Sequence, residues 1–519
     1  MIFRCAALLA ALFLFFISGP AVAQDVTLRS QDGSVELSGT LLGFDGDFYR
    51  VDTIYGELTI DGTGVTCAGP GCPNLQNYVA EISISGSASM GAVLVPALLE
   101  GFAAQNNLVL SREDPDQTHF VYTARDQQSD AKVASIYFRI TNSEEGFADL
   151  LANEADIVMS LREVNDQELA RARDAGLGDL EDANRSRVLS LDAIVPIVSP
   201  RNPVQAISPR QVARVYSGEI ISWSSLGGPD APIILHAPSE RTGLGQAIQQ
   251  KILEPERLAI NPKAIRHERS NTLAKAVEND PFAFGLVSFA EVADAKPLVL
   301  TGPCGRSLRA TRRTIKTEDY PLTAPMFLYT PARRLPKIAR DFLAYTREAE
   351  AHSVIRRVGF VDQAPEEIRI DLQGNRLANA ISAAGRDVSL PELQRMMSVL
   401  DRMQRLTTSF RFEAGSARLD AQSRSNVLQL SRLLEQGRFD ARQVLFAGFS
   451  DAEGPGEANR QIAFERAEAV RDAVLEAAET ADLEQIEIFV DAFGEAMPMA
   501  CDTSAWGRQV NRRVEVWVR

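Results

Sequence analysis

The sequence predicts an α/β multidomain protein with a small all-β domain at its N-terminal side. Three observations lead there. A chain of 519 residues is too long for a single hydrophobic core. From residue 80 onward, short apolar strands alternate with helical stretches. Before residue 80, apolar and polar residues instead alternate one by one between Asp-Gly and Gly-Asp breaks. With 45% hydrophobic and 24% charged residues, the composition is that of a soluble globular protein.

The first residues read as a signal and not as part of the fold. Arg4 precedes an apolar run from Cys5 to Ile17, then the breaker pair Gly19-Pro20 and the small-residue site "AVA". This predicts a secretory signal peptide over residues 1–23. The run is short for the ~20 residues of a membrane span. Loss of Arg4 takes the formal charge from −15 to −16. So acidic a chain is not expected to take nucleic acid as a partner.

Four cysteines remain, Cys67, Cys72, Cys304 and Cys501. An even number in an exported chain suggests two disulfides. Cys67 and Cys72 flank the loop "AGPG" and are expected to close a small ring. Cys304 and Cys501 pair by elimination. The histidines His119, His236, His267 and His352 are scattered, without ligand spacing to a cysteine, so no metal site is expected.

Residues 25–79 read as a meander or barrel of about five strands, an adaptor without a cluster of catalytic residue types. Residues 80–362 carry the strands "EISISG", "ADIVMS", "AIVPIVS", "PIILHAP" and "FGLVSF" between helices, which predicts a mainly parallel sheet. Residues 363–405 read as a polar connector. It ends in a packing helix opened by a capping box, Ser389 and Glu392, with Pro391 in its first turn. Residues 406–519 read as β-α-β-α-β with the last strand at the terminus.

Asp451 follows the strand "VLFAGFS", at the carboxyl end where open α/β sheets place ligands. Asn459, Ala463 and Arg466 fall at i, i+4 and i+7 and share one face of the next helix. A helix folding back on its strand brings that face toward Asp451. By spacing alone this is either a surface ion pair, worth ~0–1 kcal/mol, or a clamp for a ligand with both charges.

The pieces "FRFEAGSARL", "GFSDAEGPGEANRQIAFERAEAVRDAV", "VDAFGEAMP" and "GRQVNRRVEVWV" run in order from Phe410 to Arg519. They resemble the OmpA-like peptidoglycan-binding domains. The resemblance implies that Asp451 and Arg466 hold the zwitterionic end of diaminopimelate in the peptide stem, and that Asn459 is the family's helix asparagine. A guanidinium fork suits a carboxylate, and a carboxylate suits an ammonium group. Ser450 stands where family members often have threonine. Arg512 and Arg513 either assist this site or cap the last strand, and the cap is the favoured reading.

"ISGSASMG" sets a Gly/Ser loop between a strand and a helix, either a simple N-cap or an anion site. "LDAIVPIVSPRNPVQAISPRQVARVYSGEIISWSSLGGPDAPIILHAPSERTGLGQAI" and "YPLTAPMFLY" resemble the phosphate-binding proteins of ABC importers. The resemblance covers residues 80–362 and implies a two-lobed periplasmic-binding-protein fold with phosphate or a related oxyanion in the cleft. Carried over, its anion site is Ser87, Ser89 and Met90 (backbone), Ser143, Ser160 and Arg162, and Arg241, Thr242 and Gly243. The last loop reads "PSERTGLG" and departs from the family's pattern, with its arginine displaced into the loop itself. An ABC permease is the partner the resemblance implies, and the sequence does not name it.

No nucleophile elbow, Walker loop or catalytic carboxylate pair is present, so neither an enzyme nor a cofactor is expected. The expectation is an exported binding protein of the periplasm, moored to the cell wall, at or near the outer membrane. The alternative is a structural or sensing envelope protein whose degenerate binding domain serves protein interaction.

Overall fold

The computed structural model describes residues 25–75, 78–116, 118–385, 388–413 and 416–519. The expected signal peptide lies outside the described residues. Among these residues, no helix is long and apolar enough to cross a membrane.

The N-terminal segment folds into five antiparallel strands, Val26–Ser30, Glu36–Phe44, Phe48–Thr53, Gly56–Asp61 and Val65–Ala68. Its alternating pattern buries Val26, Leu28, Tyr49 and Val51 on one face. Arg334 and Arg340 bind its Asp45 and Asp47 at 2.5 and 2.6 Å, docking the sheet on the next domain.

The middle segment builds one continuous sheet through two lobes. The strands Ser186–Val198 and Thr323–Tyr329 are paired antiparallel and run from one lobe into the other. Ala80–Ser87 pairs parallel with Lys132–Thr141 and Ile157–Ser160 in the first lobe. Ile234–Pro238 pairs parallel with Ala283–Ser288 and Ile265–His267 in the second. The expected mainly parallel sheet is therefore corrected to a mixed one. The linking strands run against their neighbours, and the meander Leu108–Glu113, His119–Asp126 and Lys132–Thr141 is antiparallel. Apolar runs show that a strand is buried on both faces, but they do not give its direction. One core lies around Leu98, Phe138 and Met326, and a second, around Val195, Trp223 and Phe284, runs on to Phe147 and Val158 of the first lobe and to Met499 and Val510 of the C-terminal domain.

The C-terminal sheet orders Glu367–Ile368, Gln404–Phe410, Arg513–Val518, Gln443–Phe449 and Glu487–Gly494. Only the last two strands pair in parallel. The helices Ala421–Glu435 and Gly456–Ala477 cover one face through Leu430, Leu434, Val470 and Val474, against Val444 and Phe446. The helix Leu390–Leu400 covers the other through Leu393, Met396 and Leu400, against Leu445, Phe449 and Trp517. The stretch read as a connector thus supplies an edge strand and an outer layer. Ser389 Oγ caps Glu392 N as expected, but the Glu392 carboxylate turns to Arg395, so the box is half formed. A short helix, Ala505–Asn511, precedes the last strand and was not expected from the sequence.

Cys67 is bonded to Cys72 and Cys304 to Cys501, as the cysteine count predicts. The second bond ties the middle segment to the C-terminal sheet.

Candidate functional site

At the C-terminal site, the strand Gln443–Phe449 delivers Ser450 and Asp451 to its carboxyl end. The helix Gly456–Ala477 folds back across it. A Cβ at Gly448 would lie 2.6 Å from the carbonyl carbon of Ala463, so only glycine permits this approach. Ala463 and Asn459 are buried on the inner face of this helix, and Arg466 is half-buried on the same face. The predicted helix face is therefore next to Asp451.

Asp451 and Arg466 do not form an ion pair. Asp451 Oδ2 instead accepts from Arg512 Nη1 at 2.5 Å, and Oδ1 accepts from Glu453 N at 3.3 Å. Arg512 thus lies at the candidate site, where sequence reasoning favoured a strand cap over an assisting role. Its signal lay in the "NRRVEV" ending, but the pairing spans 61 residues and needs the fold. Arg513, by contrast, is wholly buried in the last strand, on Glu515 and over the Phe449 ring.

The Arg466 guanidinium sits 5.2 Å over the Phe412 ring and makes no hydrogen bond or ion pair among the described residues. Burial pushes its pKa down, the charge of Arg512 adds to this, and Asp451 opposes it. Asn459 Nδ2 donates to Glu495 Oε1 at 2.6 Å. Ser450 Oγ is buried without a partner. Glu453 is drawn away to Arg508 at 3.3 Å, and Glu457 lines a groove beside Arg395 and Arg460. The result is one carboxylate already held by a cation, beside a second cation whose donors are free.

At the second site, the strands Ala80–Ser87, Lys132–Thr141 and Ile157–Ser160 end together where the loop Ser239–Gly243 of the other lobe meets them. Asn142 Nδ2 donates to Arg241 O at 3.3 Å across this junction. Ser87 is fully buried and its Oγ has no partner. A Cβ at Gly243 would lie 3.7 Å from that hydroxyl and 2.8 Å from Leu161 Cδ1. Met90 opens a helical segment directly after Ser89, which makes no side-chain cap. Ser143 Oγ accepts from Leu161 N at 3.0 Å, and Ser160 Oγ donates to Arg162 O at 2.7 Å. Thr242 caps the helix Gly243–Ile248 through Gly245 N at 3.1 Å.

The two arginines behave differently from these hydroxyls. Arg162 is clamped on Glu168 through two bonds of 2.8 and 2.7 Å. Arg241 points to solvent with its side chain 83% exposed, against Glu268 at 3.1 Å. The structure brings together Ser87, Met90, Ser143, Ser160, Thr242 and Gly243, and leaves the Arg241 side chain outside. Thr141, paired with Ser87 across the sheet, has a second buried hydroxyl oxygen without a partner. Sequence reasoning missed it because the end of its strand carries no motif. Beside this point, a cleft of 720 Å³ opens between the lobes, with Arg162, Tyr216, Glu240 and Arg266 on its walls. Arg266 is bound to Glu240 at 2.7 Å.

The PBP superfamily domain matches residues 73–350, and the OmpA family matches residues 411–512. Among curated proteins, the chain is 24% identical over 217 residues to the phosphate-binding protein PstS of Staphylococcus haemolyticus, across 40% of this chain and 66% of that protein. It is 24% identical over 188 residues to PstS of Bacillus subtilis, across 36% of this chain and 60% of that protein. It thus spans less than two thirds of the length of these relatives. An ABC-type phosphate transport receptor from Vibrio cholerae is 19% identical, covering 54% of this chain and 99% of its own, with a TM-score of 0.42. The peptidoglycan-associated lipoprotein of Burkholderia pseudomallei is 26% identical, covering 21% of this chain and 89% of its own, with a TM-score of 0.19. The chain belongs to the PBP superfamily, and joins that two-lobed domain to a C-terminal domain of the OmpA family.

Proposed function

We propose that this protein is an exported envelope protein that captures phosphate or a related oxyanion between its lobes and is moored to peptidoglycan by its C-terminal domain. The observation that carries the capture is Ser87 Oγ, fully buried and unpartnered where the loops of both lobes meet. A buried hydroxyl without a partner costs ~1–3 kcal/mol, and an oxyanion in that place would accept from it. The helix starts at Met90, Ser143 and Gly243 would add backbone N–H groups. PstS relatives, named for phosphate binding, support this ligand. Binding here involves no chemistry on the ligand.

The mooring rests on Arg466, half-buried with free donors beside the Asp451 carboxylate. Arg466 would take the carboxylate of diaminopimelate and Asp451 its ammonium group, with Asn459 and Arg512 holding the walls. The two disulfides fit an oxidising compartment such as the periplasm. A permease partner belongs to this reading only if the captured ion is handed on.

One observation favours the sensing or interaction alternative. Arg162 and Arg266 on the cleft walls, and Arg241 on the surface beside them, are each paired with a glutamate, which takes up much of the positive charge a dianion would need. Calorimetric titration of the mature protein with phosphate decides between the two. Capture predicts saturable heat that Gly243→Val abolishes by filling the space at Ser87. No heat from the parent protein would leave the interaction reading.

A further inference from the structure

A cavity of 540 Å³ lies between the two-lobed domain and the helix Ala421–Glu435 of the C-terminal domain. Four arginines line it; Arg424 is paired with Glu413 at 3.5 Å, and the other three reach it from separate elements. Arg187 comes from the linking strand Ser186–Val198, Arg347 from the turn after the helix Lys337–Tyr345, and Arg432 from the helix Ala421–Glu435. Arg187 is held from behind by neutral acceptors only, Leu343 O and, at 3.1 Å, Thr346 Oγ1. The side chains of Arg347 and Arg432 make no hydrogen bond among the described residues. None of the three is ion-paired to a carboxylate among the described residues.

These charges press on one another. Burial, then Arg347 and Arg432, push Arg187 down to about 9. Arg347 is exposed along part of its length, and burial of the rest, then Arg432, lower it as well. Burial lowers Arg432 as well, and Glu435 on its own helix opposes this without pairing. Glu181, Glu348 and Glu350 also line the cavity, and Glu348 is engaged by Gln105 at 2.9 Å. His352, on the same wall, has a buried Nδ1 with no partner. In the cleft between the lobes, Arg162 and Arg266 are instead neutralised by glutamates. Here three like charges are left together, and such uncompensated groups cluster where a ligand supplies the missing charge.

We propose that this junction cavity binds a small organic molecule with a multivalent oxyanion head, of the phosphate monoester or diphosphate class. The head sits on Arg187, Arg347 and Arg432, whose planar forks match phosphate oxygens. A single carboxylate would leave most of the positive charge unmet. The remaining wall includes Val188, Leu189, Leu428 and Leu433, which suit an apolar body. The volume falls in the range of about 300–1,000 Å³ usual for small-molecule sites and is far larger than a bare phosphate needs. Because both domains supply cations, the ligand would bridge them. This site is separate from the cleft proposed above.

The test uses the full mature chain with inorganic pyrophosphate, inorganic phosphate and phenyl phosphate as probes, in chloride buffer, by calorimetry and thermal unfolding. Pyrophosphate is expected to bind and raise Tm. The double variant Arg347→Gln/Arg432→Gln is expected to weaken it at least 100-fold and abolish the shift. Its unliganded Tm should equal or exceed the parent's, because the repulsion is relieved. Gly243→Val, which blocks the cleft, should bind pyrophosphate like the parent. Phenyl phosphate should bind at least tenfold tighter than phosphate in Gly243→Val. No pyrophosphate binding by the parent would overturn the proposal. So would binding that survives in the double variant, binding lost in Gly243→Val, or equal affinity for phosphate and phenyl phosphate.

Discussion

Arg405 Nη1 donates to Asp319 Oδ2 at 2.8 Å, with the two side chains 2% and 5% exposed. Asp319 follows the short helix Arg312–Lys316 of the two-lobed domain, and Arg405 lies in the C-terminal sheet. The pair is therefore a buried link between the domains. Arg411 reinforces it by donating to Glu318 O at 2.7 Å and Thr317 O at 3.3 Å. Glu515 extends it on the other side, between Arg405, Arg376 and Arg513.

Breaking this link from one side leaves a charge buried. Asp319→Ala is expected to cost about 3–5 kcal/mol, because Arg405 loses its closest carboxylate. Replacing both partners with apolar residues, Asp319→Leu/Arg405→Met, should recover part of that loss. Urea unfolding followed by tryptophan fluorescence checks both. Equal stability of the parent and Asp319→Ala would show that the link contributes nothing.

Neighbouring carboxyls in this junction titrate in opposite directions. Burial opposes the charge on Asp319 and Glu515, but the surrounding arginines outweigh it, holding Asp319 well below the carboxylate range and Glu515 at about 2. Their stabilisation is present above the unfolded pKa near 4 and is lost as pH falls toward 2. Glu318 goes the other way. Burial, then the charge of Asp420, raise it to about 8. Its contribution is full below about 4.5 and is lost as pH rises through 8. Glu318→Gln should therefore leave Tm near pH 4 unchanged and raise stability at pH 8 by on the order of 4 kcal/mol. A Tm profile from pH 4 to 9 reads this directly, and parallel curves for the two proteins would refute it.

Much of this architecture is legible in the sequence, for physical reasons. Alternation at every second residue gives the N-terminal sheet because one of its faces is buried. The 3.6-residue period places Asn459, Ala463 and Arg466 on one face because helical geometry is local. The even cysteine count, with Cys67 and Cys72 flanking a short loop, leads to both disulfides. Three kinds of fact are not legible. Strand direction is not, because a doubly buried strand such as Ser186–Val198 reads the same either way. Partners distant in sequence are not, so Arg512 was read as a cap although it holds Asp451. Side-chain commitment is not, so Arg241 was expected in the cleft, although Glu268 holds it on the surface.

Arg466 is the residue where retention and stability should separate. Its guanidinium is half-buried, repelled by Arg512 and, among the described residues, supported only by the Phe412 ring and the nearby Asp451. The ring contact is worth ~0.5–1 kcal/mol, and relief of burial and repulsion offsets it. Arg466→Ala is expected to shift stability by less than about 1 kcal/mol. Retention on purified peptidoglycan should nonetheless fall at least tenfold if this cation takes the ligand's carboxylate. Undiminished retention of both Arg466→Ala and Asp451→Ala would place any wall contact elsewhere on the domain.

The two disulfides should differ sharply in what they hold. Cys304–Cys501 closes a loop across a sequence separation of 197, and Cys67–Cys72 one of only 5. In the chain-entropy view, stabilisation grows with the logarithm of the loop, giving ~5 kcal/mol for the first and ~2 kcal/mol for the second. Location sharpens the contrast. The long loop contains the linking strand Thr323–Tyr329, the Asp319–Arg405 pair and most of the C-terminal domain. The short one lies at the edge of the N-terminal sheet. Cys304→Ser/Cys501→Ser should therefore lower the unfolding midpoint of the C-terminal domain and separate its transition from that of the two-lobed domain. Cys67→Ser/Cys72→Ser should leave both transitions in place. Differential scanning calorimetry of the two double variants checks this. A coincident, unshifted transition after loss of Cys304–Cys501 would show that the buried charges alone hold the junction.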